Sequence, residues 1–155
     1  MKNALIGHNG FLGSNLKHQT KFGFFFNSEN IHTIKNNIYD LVICCAPNAE
    51  KWLANKEPIK DLENIKKLIL NLKDIKCNKF ILISTVDVFS TPCDIDEETF
   101  VDEKKLKPYG LNRRFLEKFV EKNFKNQMIV RLPGLVGKGL KKNAIFDFHN
   151  NNQIS

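Results

Sequence analysis

Apolar residues fall into two kinds of cluster along the chain, and their alternation predicts the architecture. Ala4-Leu-Ile6, Phe22-Gly-Phe-Phe-Phe26, Asp40-Leu-Val-Ile-Cys-Cys-Ala46, Phe80-Ile-Leu-Ile-Ser84 and Met128-Ile-Val-Arg-Leu132 are short, nearly continuous apolar runs. Runs of this length suit strands buried on both faces of a parallel sheet. Between them the spacing changes. Ile59, Leu62, Ile65, Leu68, Ile69, Leu72 and Ile75 recur at helical intervals, predicting an amphipathic helix from Pro58 to about Lys76, with Pro58 in its first turn. Leu111, Phe115, Leu116, Phe119 and Val120 do the same for a helix from Tyr109 to about Asn123. A first helix is expected from Ser14, a short helix or turn over Ile31–Asn36, and a last short helix over Ala144–Phe148. The stretch from Thr91 to Lys107, acidic then basic, reads as a surface loop.

Strands alternating with helices give a doubly wound, Rossmann-like α/β fold with a parallel sheet covered on both faces. The 155 residues are read as one domain, 1–155, with no repeat or linker to divide it.

Composition removes several other classes. At 42% hydrophobic residues the chain can bury a core. No apolar run approaches the roughly 20 residues that span a bilayer. Met1 leads within a few residues into a strand and glycine turn, which is not a secretory leader, so a soluble, cytoplasmic protein without a membrane partner is expected. The net charge of +7 comes from lysines spread along helices and mixed with glutamates, as in Arg113–Lys122. That pattern describes a solvated surface, not a nucleic-acid stripe. Cys44, Cys45, Cys77 and Cys93 form no Cys-x-x-Cys pair, and His8, His18, His32 and His149 are scattered. No metal site is expected, and the cysteines are read as reduced thiols.

The chemistry starts at Gly7-His-Asn-Gly-Phe-Leu-Gly13, between the first strand and the first helix. A diphosphate must approach bare amides at a helix N-terminus, and glycine permits that approach. Gly7, Asn9, Gly10, Phe11, Leu12 and Gly13 are therefore candidate dinucleotide-binding residues. After the second strand, Asn27 and Ser28 stand where an acidic residue would hold the adenosine ribose, with Glu29 the nearest carboxylate and no arginine beside them. NAD and NADP are not separable at this level.

Several further segments, taken in order, resemble the extended short-chain dehydrogenase/reductases of the NAD-dependent epimerase/dehydratase type, which modify nucleotide sugars. The glycine turn resembles the family's Gly-x-x-Gly-Phe-[Ile/Leu]-Gly. Asp40-Leu-Val-Ile-Cys-Cys-Ala-Pro47 resembles its Asp-x-Val-[Ile/Phe]-x-x-Ala strand, and Phe80–Phe89 its Ser-[Ser/Thr]-x-x-Val-Tyr segment. Lys107-Pro-Tyr-Gly-Leu-Asn-Arg113 resembles its Pro-Tyr-x-x-x-Lys motif, and Arg131-Leu-Pro-Gly-Leu-Val-Gly137 the strand and turn passing the nicotinamide.

The resemblance implies hydride transfer between a sugar carbon and NAD or NADP, with Tyr109 as acid/base and Thr85 and Arg113 as its catalytic companions. It adds Cys45, Ala46, Pro47, Ser84, Tyr109, Arg113, Pro133 and Gly134 to the cofactor-binding set. A free tyrosine ionises near pH 10, and a fixed cation close by favours the phenolate. Positions 109 and 113 share a helix face, which suits that role. Read singly, Tyr109 packing on the core and Thr85 as a strand terminus explain the same residues.

Two departures stand out. Arg113 occupies the lysine position, and a planar guanidinium does not reproduce an ammonium's bonds. The family's Asn-Val-x-Gly-Thr becomes Asp61-Leu-Glu-Asn-Ile65. The alternative is a dinucleotide-binding module without turnover. The resemblance also implies a nucleotide-sugar partner, and a homodimer built by the two long helices. It further implies a substrate domain beyond this chain, with 141–155 the truncated start of that C-terminal region. A cut chain, a shortened gene product or a polypeptide completed by a partner are equally open.

Overall fold

In the computed structural model, residues 1–140 and 143–151 are described. Five parallel strands form one sheet: β1 (Asn3–Ile6), β2 (Phe24–Phe26), β3 (Ile38–Cys44), β4 (Lys76–Thr85) and β5 (Gln127–Leu132), in the order β2-β1-β3-β4-β5. The connecting helices are α1 (Phe11–Gln19), α2 (Lys51–Lys56), α3 (Pro58–Leu72) and α4 (Pro108–Asn123), followed by α5 (Ala144–His149). A 3₁₀ turn, Ile31–Asn36, joins β2 to β3. This is the doubly wound α/β fold that the apolar pattern predicts.

The strand order reverses after β2. Chain travel from β1 to β2 goes one way across the sheet, and from β3 through β4 to β5 the other way. Right-handed crossovers therefore place α1 on one face and α3 and α4 on the opposite one. The α3/α4 face holds the main core, where Ile65 and Leu72 of α3 and Leu116 and Val120 of α4 close over Ala4, Val42, Phe80 and Leu82, all nearly inaccessible. Tyr39 anchors the edge of that core, packed edge-on against Phe24 and Phe26, with its hydroxyl donating to Ile34 O at 2.9 Å. On the α1 face Leu41, Ile43, Ile81 and Ile83 remain half-buried.

Several boundaries move from their expected places. The helix expected to run to Lys76 ends at Leu72, because β4 already begins at Lys76. β4 pairs from there with Ile38 of β3, and its polar entry, Lys76, Asn78 and Lys79, hides the strand from an apolar count. β2 starts at Phe24 and not Phe22, Gly23 entering it through N–H donation to Asn3 O at 3.0 Å. α1 begins at Phe11, three residues before Ser14. α2 was not expected, being a six-residue helix without a periodic signature. Of the 141–155 segment, α5 is seen where a short helix is predicted, and 141, 142 and 152–155 lie outside the described residues.

Candidate functional site

In a doubly wound sheet the carboxyl ends of the strands flank a crevice where the strand order reverses. Here that point lies between β1 and β3, and the residues singled out in the sequence gather along this edge. The glycine turn follows β1, Asn27 and Ser28 follow β2, and Cys45, Ala46 and Pro47 follow β3. Ser84 and Thr85 end β4, and Pro133 and Gly134, both exposed, follow β5.

The glycine turn is shaped by close backbone contact. Gly7 has φ +81°, a conformation an L side chain adopts only with strain. A Cβ there would also meet Ala46 N and the Cys45 carbonyl carbon at 3.0 Å, so the turn lies flat on the end of β3. Gly13 is packed tighter: a Cβ would stand 2.2 Å from Gly7 O and 2.8 Å from His8 Cα. These two glycines let α1 begin directly above β1. Ser14 N–H is the first in α1 to reach a carbonyl of its own helix, donating to Gly10 O at 2.9 Å. The amides of Phe11, Leu12 and Gly13 thus precede the helical ladder. The N-cap, Gly10, contributes no side-chain cap, and the first turn carries no acid. Asn9 and Gly10 are exposed. An uncapped helix start with bare amides attracts an anion.

The opposite wall is made of side chains. Arg113 lies in the second turn of α4 and is only 4% exposed. Its guanidinium grips Asp61 of α3 through two bonds of 2.7 and 3.1 Å and donates to Asn48 O at 2.7 Å. The same group lies 4.3 Å from the centroid of the Tyr109 ring, so cation and ring are stacked. Tyr109 is itself buried, and its N–H donates to Asn55 Oδ1 at 2.9 Å, tying α4 to α2. Asn112 donates to Asp61 Oδ2 at 2.8 Å, completing that carboxylate's partners. The two departures seen in the sequence, at 61 and 113, are therefore one ion pair.

Thr85 is held by its own turn. Its Oγ1 accepts from Asp87 N at 3.1 Å and donates to Asp87 Oδ2 at 3.3 Å, while Lys51 of α2 holds Asp87 Oδ1 at 2.6 Å. Gly110 brings this turn against α4: a Cβ on it would stand 2.0 Å from Asp87 O. The segment carrying Thr85 and the helix carrying Tyr109 thus meet backbone to backbone.

Ser84 faces a second buried network. Its hydroxyl donates to Glu117 Oε1 at 2.6 Å. Glu117 has no exposed surface and also takes Arg131 at 2.9 and 3.1 Å and Arg114 at 2.9 Å. This carboxylate binds β4, β5 and α4 into one unit. Sequence reasoning missed Asp61, Asn48, Gly110 and Glu117 as site-building residues. A position four residues beyond Arg113, on the same helix face, was the one signal that pointed to Glu117.

Cys44 and Cys45 at the crevice, and Cys77 at the opposite end of the sheet, are unreactive by environment. Burial pushes Cys44 and Cys45 up to about 12 and Cys77 up to about 11. Among the described residues no His, Cys, Asp or Glu cluster could hold a metal ion, and no helix is long and apolar enough to cross a membrane.

A glycine-turn crevice at the reversal point of a parallel sheet defines the class: a Rossmann-like, doubly wound α/β domain. Solved structures narrow the fold further. The chain resembles dTDP-4-dehydrorhamnose reductase from Bacillus anthracis, solved with NADP, at TM-score 0.75 and 22% identity, over 97% of this chain and 59% of that one. It resembles a UDP-galactose 4-epimerase at TM-score 0.73 and 18% identity, over 97% and 62%. UDP-glucuronic acid 4-epimerase from Bacillus cereus, solved with NAD, matches at TM-score 0.60 and 18% identity, over 86% and 56%. The likeness is one of fold, and the chain spans about three fifths of the length of these solved chains. No family model matches the sequence, and no curated protein does.

Proposed function

We propose that this chain is the cofactor-binding part of an NAD(P)-dependent epimerase, dehydratase or reductase acting on a nucleotide sugar. The observation that carries the reading is the uncapped start of α1, laid against the end of β3 by Gly7 and Gly13. A Cβ at either glycine would collide with the backbone that seats this turn on β3, so the two glycines keep the helix start uncapped and close to the crevice, which fits a dinucleotide diphosphate. The amides of Phe11, Leu12 and Gly13 would hold it, with Asn27 and Ser28 at the adenosine end and Ala46, Pro47 and Thr85 along the crevice. When bound, the nicotinamide supplies the acceptor or donor for the electron pair of a sugar C–H bond.

The chain's own contribution is proton movement and positioning. Tyr109 holds or removes the proton of the reacting hydroxyl, and Thr85 hydrogen-bonds the same oxygen. Arg113 keeps a cation on the tyrosine ring, and Asp61 fixes the orientation of that cation. The outward faces of α3 and α4 carry exposed Ile59, Leu70, Leu111 and Phe115, which supports pairing of two chains through these helices.

A second reading, a dinucleotide-binding module without turnover, is favoured by one observation. Arg113 already commits three N–H groups to Asp61 and Asn48 O, so its charge is balanced by a carboxylate before any ligand arrives. Titrating NADH or NADPH while following Trp52, exposed on α2, tests binding for both. Turnover of a panel of nucleotide sugars separates them. Loss of turnover in Tyr109→Phe with cofactor affinity retained supports the enzyme. Absence of turnover in the parent chain with tight cofactor binding supports the module, and absence of binding at millimolar cofactor removes both.

A further inference from the structure

The residues at the end of β2 have chemistry that the sequence alone leaves ambiguous, and the hydrogen bonds there resolve it. Asn27 follows the last residue of β2, where a dinucleotide's adenosine ribose is read. Its side-chain oxygen is already committed: Oδ1 accepts from Glu29 N at 2.9 Å and from Asn30 N at 3.3 Å. A carbonyl oxygen has two lone pairs, so the polar group left on Asn27 is its NH₂, a donor. Ser28, exposed, follows it. Gripping the two hydroxyls of an unphosphorylated ribose calls for an acceptor, normally a carboxylate, and Asn27 has none to offer.

A histidine and a lysine meet at the same corner. His8, in the glycine turn, reaches across to β2, where Nδ1 donates to Phe26 O at 3.1 Å. Its ring also packs edge-on against Phe25, centroids 5.6 Å apart. Lys17, exposed on α1, places its ammonium 5.0 Å from the centroid of that same Phe25 ring. Phe25 thereby gathers an imidazole and an ammonium beside the strand end. Glu29, the nearest acid in sequence, is exposed on the turn, and the two basic side chains outnumber it.

We propose that the dinucleotide this crevice selects is the 2′-phosphorylated one, NADP(H), with Lys17 and His8 as the basic side chains facing the 2′-phosphate and the Asn27 amide and Ser28 hydroxyl as neutral donors. A phosphate monoester carries about −1.5 to −2 charge at neutral pH and offers only acceptors, which matches neutral donors backed by the Lys17 ammonium. The inference rests on the cofactor-binding reading above and goes beyond it in naming the cofactor and the residues that choose it.

Calorimetric titration of the 155-residue chain with NADP⁺ and with NAD⁺ tests it, alongside the exposed-site variant Lys17→Glu and the variant Asn27→Asp. The expected result is NADP⁺ binding at least about tenfold tighter than NAD⁺. Lys17→Glu should weaken NADP⁺ several-fold more than NAD⁺, and Asn27→Asp should move the preference toward NAD⁺. A thermal melt of each variant without ligand separates a folding defect from a binding one. Equal or tighter binding of NAD⁺ by the parent chain, or equal weakening of both cofactors by Lys17→Glu, overturns the proposal while leaving the dinucleotide site standing. Binding of neither cofactor removes that site and the proposal with it.

Discussion

On the β1 side of the crevice the chain builds with backbone, and on the α4 side it builds with buried charge. Gly7, Gly10 and Gly13 contribute almost nothing but peptide groups, and their function depends on what is missing from them. Arg113, Asp61, Glu117, Arg114 and Arg131 contribute everything through their side chains, locked at 2.7–3.1 Å in two networks along one helix. The glycine wall spends the Gly7 and Gly10 amides on Phe26 O and Gly7 O and leaves those of Phe11, Leu12 and Gly13 ahead of the helical ladder, open to a ligand. The charged wall leaves few of its donors unused, so it serves to orient Tyr109 and Ser84 and to hold α4 on the sheet. A crevice needs both properties, since an anion site must stay unsatisfied and a proton-transfer site must stay rigid.

The largest expected effect breaks the charged wall. Glu117→Ala leaves two arginines facing a void, and removal of one member of a buried ion cluster costs about 3–5 kcal/mol. Urea unfolding should show this loss. Asp61→Ala should cost somewhat less, because Asp61 is 13% exposed and water can reach Arg113 in its place. A loss under about 1 kcal/mol in both would mean the networks are not structural.

Closely packed glycines on either wall should answer to size alone. Gly13→Ala and Gly110→Ala each force a methyl group onto a carbonyl oxygen, at 2.2 and 2.0 Å, and overpacking of this kind costs about 1–3 kcal/mol or more. Gly134→Ala, with nothing within 4 Å, should leave thermal stability within about 0.5 kcal/mol of the parent. Equal effects at the three positions would contradict the close packing.

A smaller effect distinguishes buried thiols from exposed ones. The folded state raises Cys44 and Cys45 from 9.0 to about 12. Their contribution to stability is complete below about pH 9, where both states keep the proton. It falls as pH rises towards 12, because the unfolded chain ionises first. At neutral pH iodoacetamide should label exposed Cys93 readily and spare Cys44 until the chain unfolds. The smallest effect belongs to Lys51→Ala. Its bond to Asp87 is short, but Lys51 is 52% exposed, so the loss should stay below about 1 kcal/mol in a melt.

Much of this architecture is legible in the sequence. Continuous apolar runs announced β1, β3, β4 and β5, and the 3.6-residue spacing announced α3 and α4, because both patterns reflect burial directly. The glycine turn was legible because backbone geometry demands particular residues at fixed spacing. What escaped were features set by partners distant in sequence. Lys76 and Asn78 look unlike strand residues, yet Ile38 and its neighbours in β3 offer them a ladder. Arg113 and Asp61 read separately as two weakenings of a motif, and only packing of α3 on α4 makes them a pair. α2 has six residues, too few to show a period, and its place is set by Asn55 and Lys51 bonding to other elements.

Whether the start of α1 is an anion site is asked most directly by Gly10→Asp. Gly10 has φ −74° and ψ 169°, extended backbone that an aspartate N-cap adopts readily, and a Cβ there meets nothing closer than 3.4 Å. The carboxylate would cap the free amides, raising stability by a few tenths of a kcal/mol. It would also occupy the place of the diphosphate. Calorimetry should then show a chain that melts no lower than the parent and has lost dinucleotide affinity at least about a hundredfold. Undiminished NADP⁺ or NAD⁺ binding by that stable variant would contradict the central claim.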